Sequence, residues 1–173
     1  GLNELDAAAL AVLLAANAQL RSANLLNNAL GDGAAAVVAA AKQQGNIKTL
    51  CGIEEGKTEV DLSHKNLGAP DAVLLSFDLE FNRALISANL DYNDIGGEGA
   101  IAISAALESN TTLEHLSLKP YTNCGKLMAV GAQAIAKMLV VNRALTTLDL
   151  RSNRIGGKYV KEAEAEGTTF KVG

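Results

Sequence analysis

Two segments approach the spacing of known ligand-binding loops. Residues 52–58 (GIEEGKT) resemble a phosphate-binding loop, but only three residues separate Gly52 from Gly56, and two of them are acidic. That loop needs four residues between its glycines and a backbone free to cradle phosphate. Residues 91–96 (DYNDIG) approach a calcium loop, but Ile95 occupies a ligand position and Ala102 stands where the bidentate Glu belongs. We therefore expect no cofactor and no bound calcium.

The side chains that most often bind transition metals or act as nucleophiles are scattered along the chain. Cys51, His64, His115 and Cys124 show no short ligand spacing. No serine lies in a nucleophile-elbow context with an assignable base. The sequence thus predicts no metal site and no catalytic residue, and we expect the protein not to be an enzyme.

Composition limits the classes of partner. The formal net charge is -4 and only 3% of the residues are aromatic, so neither charge attraction nor base stacking favours nucleic acid. Polar residues at Asn17, Gln19 and Arg21 interrupt the only apolar stretch that approaches a membrane span. We expect a soluble, cytoplasmic protein with no direct membrane insertion.

Internal repeats indicate the elements that carry the remaining polar residues. Residues 85–96 and 145–156 align at every apolar position and share an Asn and a Gly, and residues 20–31 give a third copy. Weaker copies begin near Val60 and Leu113. Leu62, Leu90, Leu118 and Leu150 mark equivalent positions, separated by 28, 28 and 32 residues. Such self-similarity is typical of stacked repeat architectures.

This pattern resembles the leucine-rich repeat family, and the 28-residue step with Gly- and Ala-rich helices is most similar to the ribonuclease-inhibitor-like subtype. The resemblance implies an α/β solenoid shaped like a horseshoe, with a parallel β-sheet on the concave face and α-helices on the convex face. After a partial unit at 1–19, units of about 20–46, 47–82, 83–110, 111–142 and 143–157 are expected. Residues 158–173 are expected to form an irregular tail or to begin an insertion, and the chain to be a fragment of a longer protein.

Several residues have predicted structural roles within these units. Ala100, Ile103 and Leu107 share one helix face, as do Ala132, Ile135 and Leu139, so both sets should face the core. Two groups of asparagines recur. The family resemblance implies that the first group, Asn28, Asn93 and Asn153, satisfies backbone groups where a strand turns. The second group, Asn17, Asn82, Asn110 and Asn142, should end helices in the left-handed conformation.

The second unit is irregular. Leu62 follows Leu25 by 37 residues. Residues 47–53 are predicted to form a strand, and residues 54–57 a surface excursion before the next repeat motif at Val60; a slipped register is the alternative.

In this family the strand residues between the inward leucines line the concave face. We expect a protein partner, within a larger complex, to bind there, with Tyr92 and Tyr121 beside the face as anchors. The predicted partner-binding residues are Glu59, Asp61, Ser63, Ser87, Asn89, Asp91, Tyr92, His115, Ser117, Lys119, Thr147, Asp149 and Arg151.

The predicted function is a protein-protein interaction scaffold or adaptor. Two alternatives stay open. One is a structural subunit of a large assembly, bound through its flanks. The other is a GTPase-activating protein of the leucine-rich-repeat type.

Overall fold

The computed structural model describes residues 1–121 and 126–153, together with the backbone of residues 169–171. Helices and short strands alternate along most of this length. Their bounds are α1 Glu4–Ala16, α2 Gly33–Gln44, β1 Glu59–Asp61, α3 Ala69–Phe81, β2 Ser87–Asn89, α4 Gly96–Leu107, β3 His115–Ser117, α5 Met128–Val141, β4 Thr147–Asp149 and β5 Thr169–Lys171. None of the helices within these ranges has the length and apolar character of a membrane span. The protein has a mixed α/β fold.

The five strands form one parallel sheet in chain order, β1-β2-β3-β4-β5. Glu59 pairs with Ser87 and Ser87 with His115, each 28 positions on, while His115 pairs with Thr147, 32 positions on. Adjacent parallel strands need a crossover between them, and α3, α4 and α5 supply three of these crossovers. Successive helices pack against one another in the same order, from α1 to α5. Each strand therefore contacts the next strand of the chain, and each helix contacts the next helix.

The core lies between the sheet and the helix layer. The central residues of β2, β3 and β4, which are Ala88, Leu116 and Leu148, are buried, as expected when alternate side chains of a strand point to opposite faces. The two predicted helix faces are confirmed. Ala100, Ile103 and Leu107 of α4 and Ala132, Ile135 and Leu139 of α5 are all buried.

Asparagines satisfy backbone groups at the strand turns, as the sequence predicted. The Asn93 side chain donates to the carbonyls of Leu62 and Leu90 at 2.8 and 3.0 Å and accepts from the Lys65 and Leu67 amides. The Asn93 side chain thereby joins the turn after β2 to the residues that follow β1. The other two members make equivalent bonds, Asn28 to the Leu25 carbonyl and Leu2 amide, and Asn153 to the Leu118 carbonyl and Leu127 amide.

The prediction that the second group of asparagines ends helices in the left-handed conformation is wrong. Asn17, Asn82 and Asn142 do follow helix ends, but their φ angles are -94°, -71° and -70°. Each side-chain oxygen instead accepts the amides two and three residues on; for Asn142 these are Ala144 and Leu145, at 3.0 and 2.8 Å. In this turn the Asn side-chain oxygen accepts the hydrogen bond that a backbone carbonyl accepts in an ordinary turn, so the Asn backbone need not be left-handed. Asn110 makes the same pair of bonds.

The sheet is interrupted at the irregular second unit. The segment predicted as a strand at 47–53 forms only isolated bridges, which join Thr49 to Ser22 and Cys51 to Asn24. Residues 54–57 turn away, with the Lys57 amide donating to the Glu54 carbonyl. Within the described ranges no backbone hydrogen bond connects 47–53 to β1. Residues 49 and 51 therefore pair with the preceding residues Ser22 and Asn24, whereas β1 pairs with the following strand, β2.

Candidate functional site

The predicted partner-binding residues on the strands share one face of the sheet. Register places Ser87, His115 and Thr147 in one row and Asn89, Ser117 and Asp149 in the next. Both rows lie opposite the buried central residues, because side chains alternate along a strand. We call this surface, which also includes Glu59 and Asp61 of β1, the polar face. Ser63, Asp91, Lys119 and Arg151 follow the strands two residues further on.

Asp91 forms a compact hydrogen-bonded group at the end of β2. One carboxylate oxygen accepts the Ser117 hydroxyl at 2.5 Å and the Lys119 backbone amide at 3.0 Å, and the other lies 2.7 Å from Lys119 Nζ. Asp91 is buried, so these bonds offset the cost of removing its charge from water. Hydrogen bonding by Asp91 also raises the pKa of Lys119.

A second ion pair extends this group to β4. Arg151 donates to both carboxylate oxygens of Asp149, with its closest contact at 2.7 Å, and Lys119 Nζ lies 3.8 Å from Asp149. Burial of Asp149 works to raise its pKa, but hydrogen bonds from Arg151 outweigh that effect and leave the pKa lowered. Asp91 and Asp149 are therefore neutralised locally by Lys119 and Arg151. The exposed acids of the polar face are Glu59 and Asp61 of β1.

Three aromatic side chains meet at the carboxyl ends of the strands. The rings of His64 and Tyr92 stack with centroids 4.4 Å apart, and His64 Nδ1 lies 3.2 Å from the Tyr121 hydroxyl. Tyr92 and Tyr121 are 38% and 43% exposed. Lys119 Nζ lies 5.8 Å from the Tyr92 ring centroid, which joins these rings to the ion pairs. We call His64, Tyr92 and Tyr121 the ring cluster.

Two members of the ring cluster occupy a left-handed backbone position. The φ angles of His64 and Tyr92 are 55° and 56°, and Asn27 and Ser152 adopt the same conformation at equivalent places in their units. This region is uncommon for bulky residues. Sequence reasoning placed the two tyrosines beside the polar face but missed His64. The signal for it was available, because His64 precedes Tyr92 by the same 28 residues that separate β1 from β2.

Thiols and imidazoles are not gathered into a site in the described part of the chain. Cys51 lies in the core, where desolvation raises its pKa well above the usual value. His64 belongs to the ring cluster, and His115 lies exposed on the polar face. Cys124 lies outside the described residues. Among the described ranges, no group of three or more His, Cys, Asp or Glu side chains is placed to hold a metal ion.

Comparison with known proteins bears on the repeats and the fold. A family model described as "Leucine Rich repeat" matches residues 89–104 and 141–158. The first match covers the end of β2 and most of α4, and the second includes β4. These matches support a leucine-rich-repeat family.

Solved structures resemble this chain over most of its length. A structure of leiomodin-1 actin-binding site 2 is 19% identical, with a TM-score of 0.50, and the alignment covers 92% of this chain and 87% of that one. At this identity the likeness concerns the fold alone. The tropomodulin C-terminal domain of Caenorhabditis elegans aligns with 10% identity and a TM-score of 0.48, over 94% of this chain and 91% of that one. No curated protein sequence gave a significant match.

Proposed function

We propose that this protein is a binding module whose polar face and ring cluster dock a protein partner, as a scaffold or adaptor within a larger complex. The single observation that carries this proposal is the ring cluster. Two half-exposed tyrosines and a histidine contact one another at the edge of a polar surface. Aromatic side chains that offer both a ring and a polar tip are favoured as interface anchors.

The ion pairs beside the ring cluster give it a defined orientation. Lys119 bonds to Asp91 and approaches the Tyr92 ring, so Tyr92 has less rotational freedom to lose when a partner binds. Asp91 and Asp149 are already paired and buried. They would therefore serve to hold the surface, while Tyr92, Tyr121, Glu59 and Asp61 would contact the partner.

The remaining features of the proposed architecture follow the sequence resemblance. We infer that the stacked units build a horseshoe of the ribonuclease-inhibitor-like subtype, with the polar face on its concave side. The parallel sheet in chain order and the successive packing of helices support this inference. A concave sheet would let one partner contact several strands at once.

The test compares partner capture by two matched pairs of substitutions. Tyr92→Asn with Tyr121→Ser removes two rings of the ring cluster, and Asn is suited to the left-handed position because Asn27 occupies it in the first unit. Ile101→Ser with Val130→Ser changes two exposed apolar side chains of the helix layer. Both proteins are first checked by circular dichroism and thermal unfolding.

The outcomes separate the proposed function from its main alternative. Quantitative affinity capture with mass spectrometry should show a partner that is lost from the ring-cluster variant and retained by the helix-layer variant. The opposite pattern would overturn the proposal and favour the structural subunit. That alternative has support of its own, since Ile101, Val130, Val140 and Val141 expose apolar surface on α4 and α5.

Actin provides one defined probe for the same variants. The leiomodin-1 structure is described as an actin-binding site, and its likeness to this chain is one of fold. Sedimentation with filamentous actin and anisotropy with monomeric actin would measure binding directly. If actin is the partner, the ring-cluster variant should bind it at least about tenfold more weakly, as expected for loss of an interface anchor.

A further inference from the structure

Strand β1 leaves one of its edges without a neighbour. The Thr58 carbonyl accepts the Ile86 and Ser87 amides, and the Leu62 amide donates to the Asn89 carbonyl, so these groups face β2. Backbone groups of successive strand residues point to opposite edges. The amides and carbonyls of Glu59 and Asp61 therefore face away from β2, toward the interruption in the sheet. In the described residues no backbone group pairs with them.

The opposite side of the interruption is closed by side chains. Asp78 of α3 is buried and accepts the Leu50 amide at 2.7 Å, while the Thr49 hydroxyl accepts the Cys51 and Ile53 amides at 3.1 and 3.0 Å. The amides of Leu50, Cys51 and Ile53 are thus satisfied without a neighbouring strand. On the β1 side, the amides and carbonyls of Glu59 and Asp61 have no backbone partner among the described residues, and such an edge readily pairs with another strand.

A groove of about 250 Å³ separates these two sides. Its walls include apolar Ile53 and Val60, and its rim carries Glu54, Glu59 and Asp61 with Lys57 as the one cation among its lining residues. Lys57 lies 3.7 Å from Glu54, which leaves the two acids of β1 to set the charge beside the open edge. Both of these acids are exposed.

We propose that the open edge of β1 binds an extended basic peptide segment of a partner protein, which pairs with Glu59–Asp61 as an added strand, parallel like the other strands of the sheet. Backbone hydrogen bonds would supply affinity, and alternate side chains would supply specificity. Residues of the peptide on the polar face lie beside Glu59 and Asp61 and carry Lys or Arg. The residue between them points toward Val60 and Ile53 and is apolar and branched.

Charge argues against a second copy of this chain as the occupant. Pairing two β1 edges would bring Glu59 and Asp61 of each copy beside the same acids of the other. Like charges on adjacent strands are destabilising, whereas opposite charges stabilise the pair. A basic segment therefore fits this edge, and the acids protect it from self-association.

The test uses a fluorescein-labelled peptide, Thr-Lys-Val-Lys-Val-Thr, and fluorescence anisotropy at low ionic strength. A matched peptide carries Glu in place of both Lys residues, and another carries N-methyl groups on both Val residues. The basic peptide should bind, and both matched peptides should bind at least about fivefold more weakly, since one lacks the charge and the other lacks backbone donors. Failure of the basic peptide to bind, or equal binding of the N-methylated peptide, would overturn the proposal.

Two substitutions at one position separate charge from backbone pairing. Asp61→Ser removes the carboxylate and keeps the amide, whereas Asp61→Pro also removes the amide, which does not bond to β2. Proline is tolerated at a strand edge in this position. The basic peptide should bind the Asp61→Pro protein roughly fivefold more weakly than it binds the Asp61→Ser protein. Equal affinities of the two variants would contradict strand addition.

This proposal does not depend on the ring cluster. Tyr92→Asn should leave peptide affinity within about twofold of the starting protein, because Tyr92 lies outside the groove lining. Loss of peptide binding in Tyr92→Asn would place the peptide on the ring cluster and overturn the edge assignment. Conversely, loss of partner capture with intact peptide binding would separate the two surfaces.

Discussion

At the scale of single residues, Asp78 is the clearest case of a charge retained in the core for structural reasons. It is 1% exposed and accepts the Thr49 hydroxyl at 2.5 Å as well as the Leu50 amide. Burial raises its pKa to about 6, although hydrogen bonds from Thr49, Leu50 and Cys51 act in the opposite direction. Ionisation of Asp78 therefore lowers the stability of the folded protein, although its carboxylate accepts the backbone amides of Leu50 and Cys51.

This raised pKa predicts a pH-dependent stability. The folded-state pKa exceeds the unfolded value of about 3.8, so the folded state binds more protons between pH 4 and 6. The contribution of Asp78 is then greatest below pH 4 and is lost as pH rises through about 6. Relative to Asp78→Asn, which does not titrate, the free energy of unfolding should fall by on the order of 3 kcal/mol from pH 4 to 7. Urea unfolding of both proteins across this range measures the difference.

Parallel pH profiles for the two proteins would contradict the assignment. Other carboxylates titrate in both proteins, so their effects cancel in the comparison. Asp61 makes a useful second control, because hydrogen bonds from Ser63 lower its pKa. In Asp61→Asn the profile should differ from the starting protein only below pH 4.

A second prediction for a single residue concerns the stability lost on substitution of Asn93. Its side chain is buried and bonds to two carbonyls and two amides. Asn93→Ala leaves these groups without partners, and each lost bond to a buried group costs about 1 kcal/mol or more. We expect a loss of about 3 to 4 kcal/mol in the free energy of unfolding, measured by urea titration. Gln133→Ala, at an exposed site of α5, is the control and should cost less than about 1 kcal/mol.

At the scale of elements, close approach of α3 and α4 depends on a small residue. A Cβ atom added at Gly99 would lie 2.8 Å from the Ala72 Cβ and 2.8 Å from the Ile95 Cγ2. Alanine normally favours a helix over glycine by about 1 kcal/mol. Here the clash dominates, because packed cores resist added atoms.

Gly99→Ala should therefore destabilise the protein by about 1 to 3 kcal/mol, despite its better helix propensity. Thermal and urea unfolding measure the effect. Glu98→Ala, one residue earlier and exposed on the same helix, is the control and should change stability by no more than about 0.5 kcal/mol. A stabilised Gly99→Ala protein would show that the two helices can move apart at no cost.

At the scale of the whole molecule, the interruption before β1 divides the stack. Residues 1–53 pair through isolated bridges, whereas β1 to β4 form a continuous parallel sheet. Asp78 joins the two parts by bonding from α3 to Leu50 and Thr49. Stability in repeat proteins is set by such neighbour contacts.

Hydrogen exchange should reveal this division. Asp78→Ala is expected to increase amide exchange in residues 1–53 by roughly tenfold or more, while β2 and β3 keep most of their protection. Mass spectrometry of peptic fragments measures both regions at once. A uniform increase across the chain would show instead that the stack opens as a single cooperative unit.

The repeating framework can be read from the amino-acid sequence. Apolar residues at fixed spacing identify the buried positions of β2, β3, β4, α4 and α5, because only one face of each strand or helix can meet the core. The leucine-rich-repeat resemblance that this spacing carries predicted a structural role for Asn28, Asn93 and Asn153, whose side chains bond to backbone groups at the turns. These features recur at fixed spacing, and such recurrence can be read from a sequence without a structure.

The features that do not repeat depend on how the chain packs in three dimensions. Asp78 stands in an apolar helix segment, and nothing in its neighbourhood shows that Thr49 and Leu50 approach it from another unit. The pairing of Asp91 with Lys119 and the meeting of His64 with Tyr92 and Tyr121 also join residues from different units. Side-chain partners across units depend on register and backbone conformation, and the interruption before β1 exists only because two short segments share one unit. The candidate partner surface and the open edge therefore emerge from three-dimensional packing.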